Sequence, residues 1–276
     1  MIMAFPFLEI FQPYSLMLRP RIIPCLLLRE KGLVKTVKFK DGKYVGDPLN
    51  AVKIFNEKEV DELMLLDIDA TTEGREPDFK LIRNIALESR MPLCYGGGVR
   101  TVEQCKKIIS LGAEKVAISS SVIQNPSIIT EMSKAVGSQS VVVVIDIKPK
   151  GLLGRYEIFS NNGTNATGLN PVDFVKYCEE NGAGEIVINS IDHDGMMNGY
   201  DIKIAREIRK AVSLPLTILG GASSLDDVSG LIKEFGVIGV AAGSIFVFKG
   251  KYKAVLINYP NAAEKIAVLS SGGFNI

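Results

Sequence analysis

The chain has 276 residues, with 32 Lys and Arg against 31 Asp and Glu, a formal net charge of +1. This balance argues against the basic field of a nucleic-acid binder and against an acidic tail, while 47% hydrophobic residues suffice for a sizeable core. Four cysteines without CxxC spacing argue against zinc and against a disulfide framework and fit a reducing cytoplasm, and no apolar run reaches the ~18–20 residues of a membrane span.

Residues 1–17 are apolar and aromatic but lack a charged n-region and a clear cleavage site. They read as an N-terminal extension rather than a signal peptide, with one folded domain over 18–276. From there apolar, β-rich runs alternate with amphipathic helical stretches. The run Arg21–Leu28 leads to a helix over Asp47–Val60, and Glu62–Asp67 to one over Asp78–Arg90. Pro92–Gly96 precedes Thr101–Leu111, and Lys115–Ser119 precedes Pro126–Val136. Ser140–Asp146 precedes Pro171–Asn181, Glu185–Ser190 precedes Ile202–Val212, Pro215–Leu219 precedes Ser224–Phe235, and Val237–Ala242 completes the set. Near-continuous apolar runs are what strands buried on both faces of a parallel sheet require. Thr101 with Gln104 forms a capping-box pattern, and Gly112, Gly137, Gly182 and Gly236 follow helix ends. Eight strands alternating with helices predict a (β/α)8 barrel (a TIM barrel) rather than a doubly wound sheet. Two longer loops, Arg29–Gly46 and Lys148–Gly168, follow predicted strands on the face where barrel active sites sit. They are candidate lids, or plain surface hairpins.

One unit occurs twice. Pro92-Leu-Cys-Tyr leads into Gly96-Gly97-Gly98, and Pro215-Leu-Thr-Ile-Leu leads into Gly220-Gly221-Ala222. Each is followed by a helix and a strand ending in small residues, Ser119-Ser120-Ser121 and Gly243-Ser244. Glycine turns at strand ends let backbone N–H groups approach an anion. Their duplication predicts a barrel of two similar halves gripping two anionic groups, such as the ends of one bisphosphate.

Asp67, Asp146 and Asp192 each end an apolar run. Such a carboxylate, partly desolvated at a barrel mouth, is a candidate proton carrier; the alternative is a turn cap or a lysine partner. Asp192-His193-Asp194-Gly195 is too thin a set for a metal, since His193 is the only histidine. Arg21, Glu62, Lys115 and Glu185 each open a strand and would meet at the opposite end as a neutral ring. From spacing alone that ring reads as a stabilising salt-bridge layer.

Taken together the motifs are specific: Arg-Ile-Ile-Pro-Cys-Leu (21–26), Tyr-Gly-Gly-Gly-Val-Arg (95–100), Val-Val-Val-Val-Ile-Asp (141–146), Asp-His-Asp-Gly (192–195) and Gly-Gly-Ala (220–222). Over roughly Leu18–Gly250 the chain resembles the cyclase subunit of imidazole glycerol phosphate synthase, from histidine biosynthesis. The resemblance implies a two-half (β/α)8 barrel that binds a bisphosphate and acts as a lyase-type cyclase without a cofactor. It also implies a heterodimer with a glutaminase subunit of the class I amidotransferases, docked on the opposite face. The four strand-opening residues Arg21, Glu62, Lys115 and Glu185 then match the family's ammonia gate. Asp146 matches one of two catalytic aspartates, and Lys35 matches a substrate-holding lysine on the first loop. The implied substrate- and phosphate-binding set is Lys35, Gly97, Gly98, Ser119, Ser120, Asp192, Asp194, Gly195, Gly220, Gly221, Gly243 and Ser244.

Two positions depart from the family. Leu27 stands where the family's other catalytic aspartate follows the Cys-Leu pair, and Ser119-Ser120 replaces Asn-Thr. Leucine cannot carry a proton. The pattern Cys-Leu-Leu-Leu resembles a paralogous branch associated with surface polysaccharide biosynthesis. There, ammonia is passed to a sugar amidotransferase that forms an acetamidino group. A third reading is a non-catalytic activator of the glutaminase.

Overall fold

The computed structural model describes residues 18–151 and 154–274. The expected extension over 1–17 lies outside the described residues. Eight parallel strands form the barrel: β1 (Arg21–Arg29), β2 (Leu63–Asp67), β3 (Leu93–Gly96), β4 (Lys115–Ile118), β5 (Val141–Lys150), β6 (Glu185–Ser190), β7 (Leu216–Leu219) and β8 (Gly239–Ala242). Each pairs with the next, and β8 pairs back onto β1, so the sheet closes. The (β/α)8 expectation therefore holds, with every expected strand present.

The longer helices in order are α1 (Pro48–Glu57), α2 (Phe79–Glu88), α3 (Val102–Ser110), α4 (Ile128–Val136), α5 (Pro171–Glu180), α6 (Ile202–Ala211), α7 (Leu225–Phe235) and α8 (Ala262–Ser270), and two short helical turns, Ser120–Gln124 and Ser244–Val247, follow β4 and β8. Their starts are side-chain caps at most positions: Asp47, Asp78, Thr101, Asn170, Asp201, Ser224 and Asn261 each accept from a first-turn N–H. Helix α8 has no counterpart in the sequence reading, although its Asn261–Glu264 capping box is a legible start signal.

Side chains alternate in and out along each strand. One set, including Ile23, Cys25, Met64, Cys94, Val142, Val144 and Val187, fills the barrel interior. The other set packs outward under the helices in one continuous core. The interior is thus a packed stack rather than a pore.

β1 and β5 are the longest barrel strands, and both run past the barrel into hairpins. Gly32–Val37 pairs antiparallel with β1, and Arg155–Ser160 with β5. Both loops, candidate lids or surface hairpins in the sequence, are hairpins that extend the sheet. They meet over the mouth: a side chain on Gly163 would stand 2.9 Å from the Phe39 ring.

The register makes the half-barrel repeat explicit. Ile22 pairs with Val240, and Val141 with Val116. Val240 and Val116 stand at the same distance from Gly243-Ser244 and Ser119-Ser120. Ile22 thus matches Val141, and counting along the strands Leu27 matches Asp146. Cys25 pairs with Met64 and Val144 with Val187, so Glu62 matches Glu185 and Leu66 matches Asn189.

Candidate functional site

The mouth at the C-terminal ends of the strands holds a cavity with about 1210 Å³ of empty space, counted to its open rim. Its wall brings together Lys35, Gly97, Gly98, Ser119, Ser120, Asp146, Asp194, Gly195, Gly220, Gly221, Gly243 and Ser244. The residues singled out at the mouth therefore converge on one place, with a single exception. Asp192 is not on the cavity wall; it faces Lys148 at 3.7 Å. Its counterpart in the other half, Asp69, binds Arg29 at 2.7 Å. Both pairs tie a strand extension to the loop of the following strand. Asp67 lines the cavity, but Arg75 holds its carboxylate at 3.2 Å, and it caps the amide of Ala70.

The glycine turns have a steric reason. Gly97 (φ +117°) and Gly221 (φ +109°) lie in the left-handed region. A Cβ on Gly97 would collide with the carbonyl of Asp67, and one on Gly221 with the carbonyl of Gly199. Only glycine allows both turns to lie against the neighbouring loop with their backbone facing the cavity. His193 is occupied in the same assembly, its Nδ1 standing 2.8 Å from the Gly199 carbonyl oxygen. Among the described residues no cluster of three His, Cys, Asp or Glu side chains is arranged to hold a metal ion.

Lys35 enters from the first hairpin and is buried. Its Nζ donates to Asp194 Oδ1 at 2.6 Å, and Thr36 Oγ1 donates to Asp194 Oδ2 at 2.8 Å. Its stem crosses Gly243, where a Cβ would stand 3.0 Å from Lys35 Cε. Gly195 fits beneath the hairpin because a side chain there would collide with the Thr36 carbonyl. One buried ion pair thus ties the hairpin to the loop after β6, beside the small-residue end of β8. On the other side, Asn161 of the second hairpin donates its N–H to Ser120 Oγ at 3.0 Å.

Asp146 is the acid of the mouth. Burial pushes its carboxyl up to about 7; the Asn189 amide, 2.9 Å from Oδ1, opposes the shift, and the Asp194 charge adds to it. At the equivalent place in the other half stands Leu27, also on the cavity wall, with Leu66 beside it. Sequence reasoning missed Asn189, because only the pairing of β5 with β6 brings it to Asp146.

At the opposite end Arg21, Glu62, Lys115 and Glu185 do form a closed ring. Arg21 donates to Glu62, and to Glu185 at 2.9 Å. Lys115 Nζ donates to both Glu62 oxygens at 2.9 Å and to Glu185 at 2.8 Å. Burial disfavours charge on Arg21 and Lys115, but the two carboxylates outweigh it and hold both pKa values above their ordinary range. Burial likewise acts against ionised Glu185, and Arg21 and Lys115 overcome it. Thr217, fully buried and absent from the sequence reading, donates to Glu185 at 2.6 Å and completes the ring.

A duplicated (β/α)8 barrel, with two glycine turns on one cavity at its mouth and a ring of paired charges at its base, is the class that this geometry defines. A family model described as histidine biosynthesis protein matches residues 21–253. The chain belongs to this family, among its imidazole glycerol phosphate synthase subunit HisF members. It is 58% identical over 249 residues to a provisionally named imidazole glycerol phosphate synthase subunit hisF3 of Vibrio vulnificus, covering 90% of this chain and 96% of that one. It is 57% identical to a provisionally named HisF subunit of Leptospira borgpetersenii, covering 91% and 99%. It is 41% identical to the imidazole glycerol phosphate synthase subunit HisF of Alkaliphilus metalliredigens, covering 83% and 91%. Among the described residues no helix is long and apolar enough to cross a membrane.

Two outcomes are expected. A raised folded-state pKa means that Asp146 binds its proton more tightly in the native protein than in the unfolded chain. The stability it confers is full below the unfolded value of about 4 and is lost as pH rises through about 7. Asp146→Asn should therefore raise unfolding free energy at pH 8 by about 2–4 kcal/mol and change it little at pH 4, as read by urea denaturation at both pH values. Gly239 leaves room for Thr217, whose Oγ1 would collide with a Cβ there. Gly239→Ala should cost about 1–3 kcal/mol, and adding Thr217→Ala should recover part of that loss.

Proposed function

We propose that the chain is a cyclase-type subunit of an imidazole glycerol phosphate synthase, working in the cytoplasm in a heterodimer with a glutaminase. The observation that carries this reading is the placement of Asp146, titrating at about 7, between two matched glycine turns on one cavity. The turns Gly97-Gly98 and Gly220-Gly221, with Ser119, Ser120 and Ser244, hold the two phosphates of the substrate. Lys35 exchanges Asp194 for a substrate phosphate, one anion for another. Ammonia from the partner reaches the mouth through the barrel, which requires the closed ring of Arg21, Glu62, Lys115 and Glu185 and the packed interior above it to open transiently. It attacks the formimino carbon of the substrate. Asp146 takes the proton released by the attacking nitrogen and returns it to the departing nitrogen, so the chain cleaves; the incoming nitrogen then condenses with the ribulosyl ketone, whose oxygen leaves as water, and the imidazole ring closes. The relatives named as imidazole glycerol phosphate synthase subunits support this reading.

A second reading rests on Leu27. One side of the mouth has an acid and the other a hydrocarbon, and loss of one proton carrier removes about 10²–10⁴-fold of assistance. The same barrel would then pass ammonia to a sugar amidotransferase for acetamidino-sugar formation, with its own cyclase step slow or silent.

The two readings separate in one assay. The purified chain is given an ammonium salt and the ribulosyl-formimino aminoimidazole carboxamide substrate, and consumption is followed. Turnover above background is expected for the first reading, and its absence sinks it. Leu27→Asp should raise the rate by about 10²-fold or more. An unchanged rate would show that Leu27 is not what limits the chemistry.

A further inference from the structure

The two halves of the mouth carry the same backbone and different chemistry. At matched positions one half presents Asp146 with Asn189 and the other Leu27 with Leu66. Leucine at the place of Asn189 is therefore compatible with the strand geometry, and packing alone does not require the amide. Keeping it also has a cost. Asn189 is 6% exposed, and among the described residues its buried Oδ1 meets no donor. A buried acceptor left unpaired destabilises the fold. What the side chain does make is one hydrogen bond, Nδ2 to Asp146 Oδ1 at 2.9 Å. The reverse orientation would set an amide oxygen against a carboxylate oxygen, so the acid fixes which way the amide points.

We infer that Asn189 is a positioning residue: its amide ties Oδ1 of Asp146 and leaves Oδ2 as the oxygen that meets the ligand. The inference rests on the reading of Asp146 as the proton carrier. Among the described residues Asn189 is the one hydrogen-bond donor to this carboxylate. The other charged or titratable groups around it do not substitute. Asp194, after β6, repels a second negative charge. Lys35, from the first hairpin, is bonded to Asp194. Burial pushes the Cys25 thiol of β1 up to about 12, so it stays neutral. A neutral donor is what such a place calls for. It favours the ionised acid without the permanent counter-charge that would leave the carboxylate too weak a base. The amide also lies beside the second glycine turn, since a Cβ on Gly220 would stand 3.3 Å from Asn189 Oδ1. Turn, amide and acid therefore form one connected assembly.

The test is Asn189→Leu, which installs the residue of the matched position. The Asp146 carboxyl is titrated by ¹³C NMR in aspartate-labelled protein, assigned with Asp146→Asn. Pentane-1,5-diol bisphosphate, which carries two phosphates and no donor between them, reports on the glycine turns at pH 8. The inference expects the Asp146 midpoint to rise by roughly one pH unit, the worth of one hydrogen bond, with bisphosphate affinity held within about twofold. In ammonium-driven turnover the acid limb of the pH profile should rise with it. A midpoint that stays or falls overturns the inference. So does loss of bisphosphate binding in the variant alone, which would make Asn189 a support of the turn. If the wild-type chain itself binds no bisphosphate, the proposed function fails at its phosphate grip, while the titration still decides the role of Asn189.

Discussion

The closed parallel register is the constraint on which everything else depends. Each strand places alternate side chains inside the barrel, so a residue's position in the pairing decides whether it can reach the site at all. In β1, Arg21, Ile23, Cys25 and Leu27 face inward, while Ile22, Leu26 and Leu28 pack beneath the helices. In β5, Val142, Val144 and Asp146 do the same. A one-residue slip in either strand would send the acid of the mouth into the apolar shell. The packed interior between the ring and the mouth keeps this register in place, and that lets a single carboxyl sit desolvated without the strand yielding.

Charge in this barrel is handled in two ways. At the base, two basic and two acidic side chains pair with one another, Thr217 adds a hydrogen bond to Glu185, and each buried carboxylate has two basic partners. Such a ring is expensive to break, because removing one member strands the others in low dielectric. At the mouth the logic is reversed. Asp146 is given no cation, only an amide, and its proton affinity rises to where proton exchange at neutral pH is feasible. The nearby cation, Lys35, is spoken for by Asp194 on a hairpin that also closes over the cavity. Charge at the base is thus paired, and the buried acid of the mouth is left without a cationic partner.

Much of this was legible in the chain. Mostly near-continuous apolar runs marked the eight strands, and the doubled glycine turns marked the mouth, because a parallel sheet buried on both faces and a close backbone approach each demand particular residue types. Asp146 was visible for the same reason, as a carboxylate ending the most apolar run. What escaped notice depended on contacts across strands. Asn189 reads as an ordinary strand residue until β6 is set beside β5, and Thr217 reads as a β-branched strand former until Gly239 opens the space its hydroxyl occupies. Asp192 shows the converse. Its position in the Asp-His-Asp-Gly motif resembled a ligand contact, yet its partner is Lys148, at the place where the other half sets Arg29 against Asp69.

The repeat also shows where the two halves have parted in chemistry. Glu62 and Glu185 match each other and carry the same carboxylate, whereas Arg21 matches Ser140 and Lys115 matches Gly239. Both cations of the ring thus come from the first half, and the neutral space that admits Thr217 comes from the second. At the mouth the division is opposite: the first half supplies Leu27 and Leu66, the second Asp146 and Asn189. A two-fold frame would bind a bisphosphate equally well in either direction. Concentrating the acid and its amide on one side removes that equivalence and gives the mouth two chemically unlike sides.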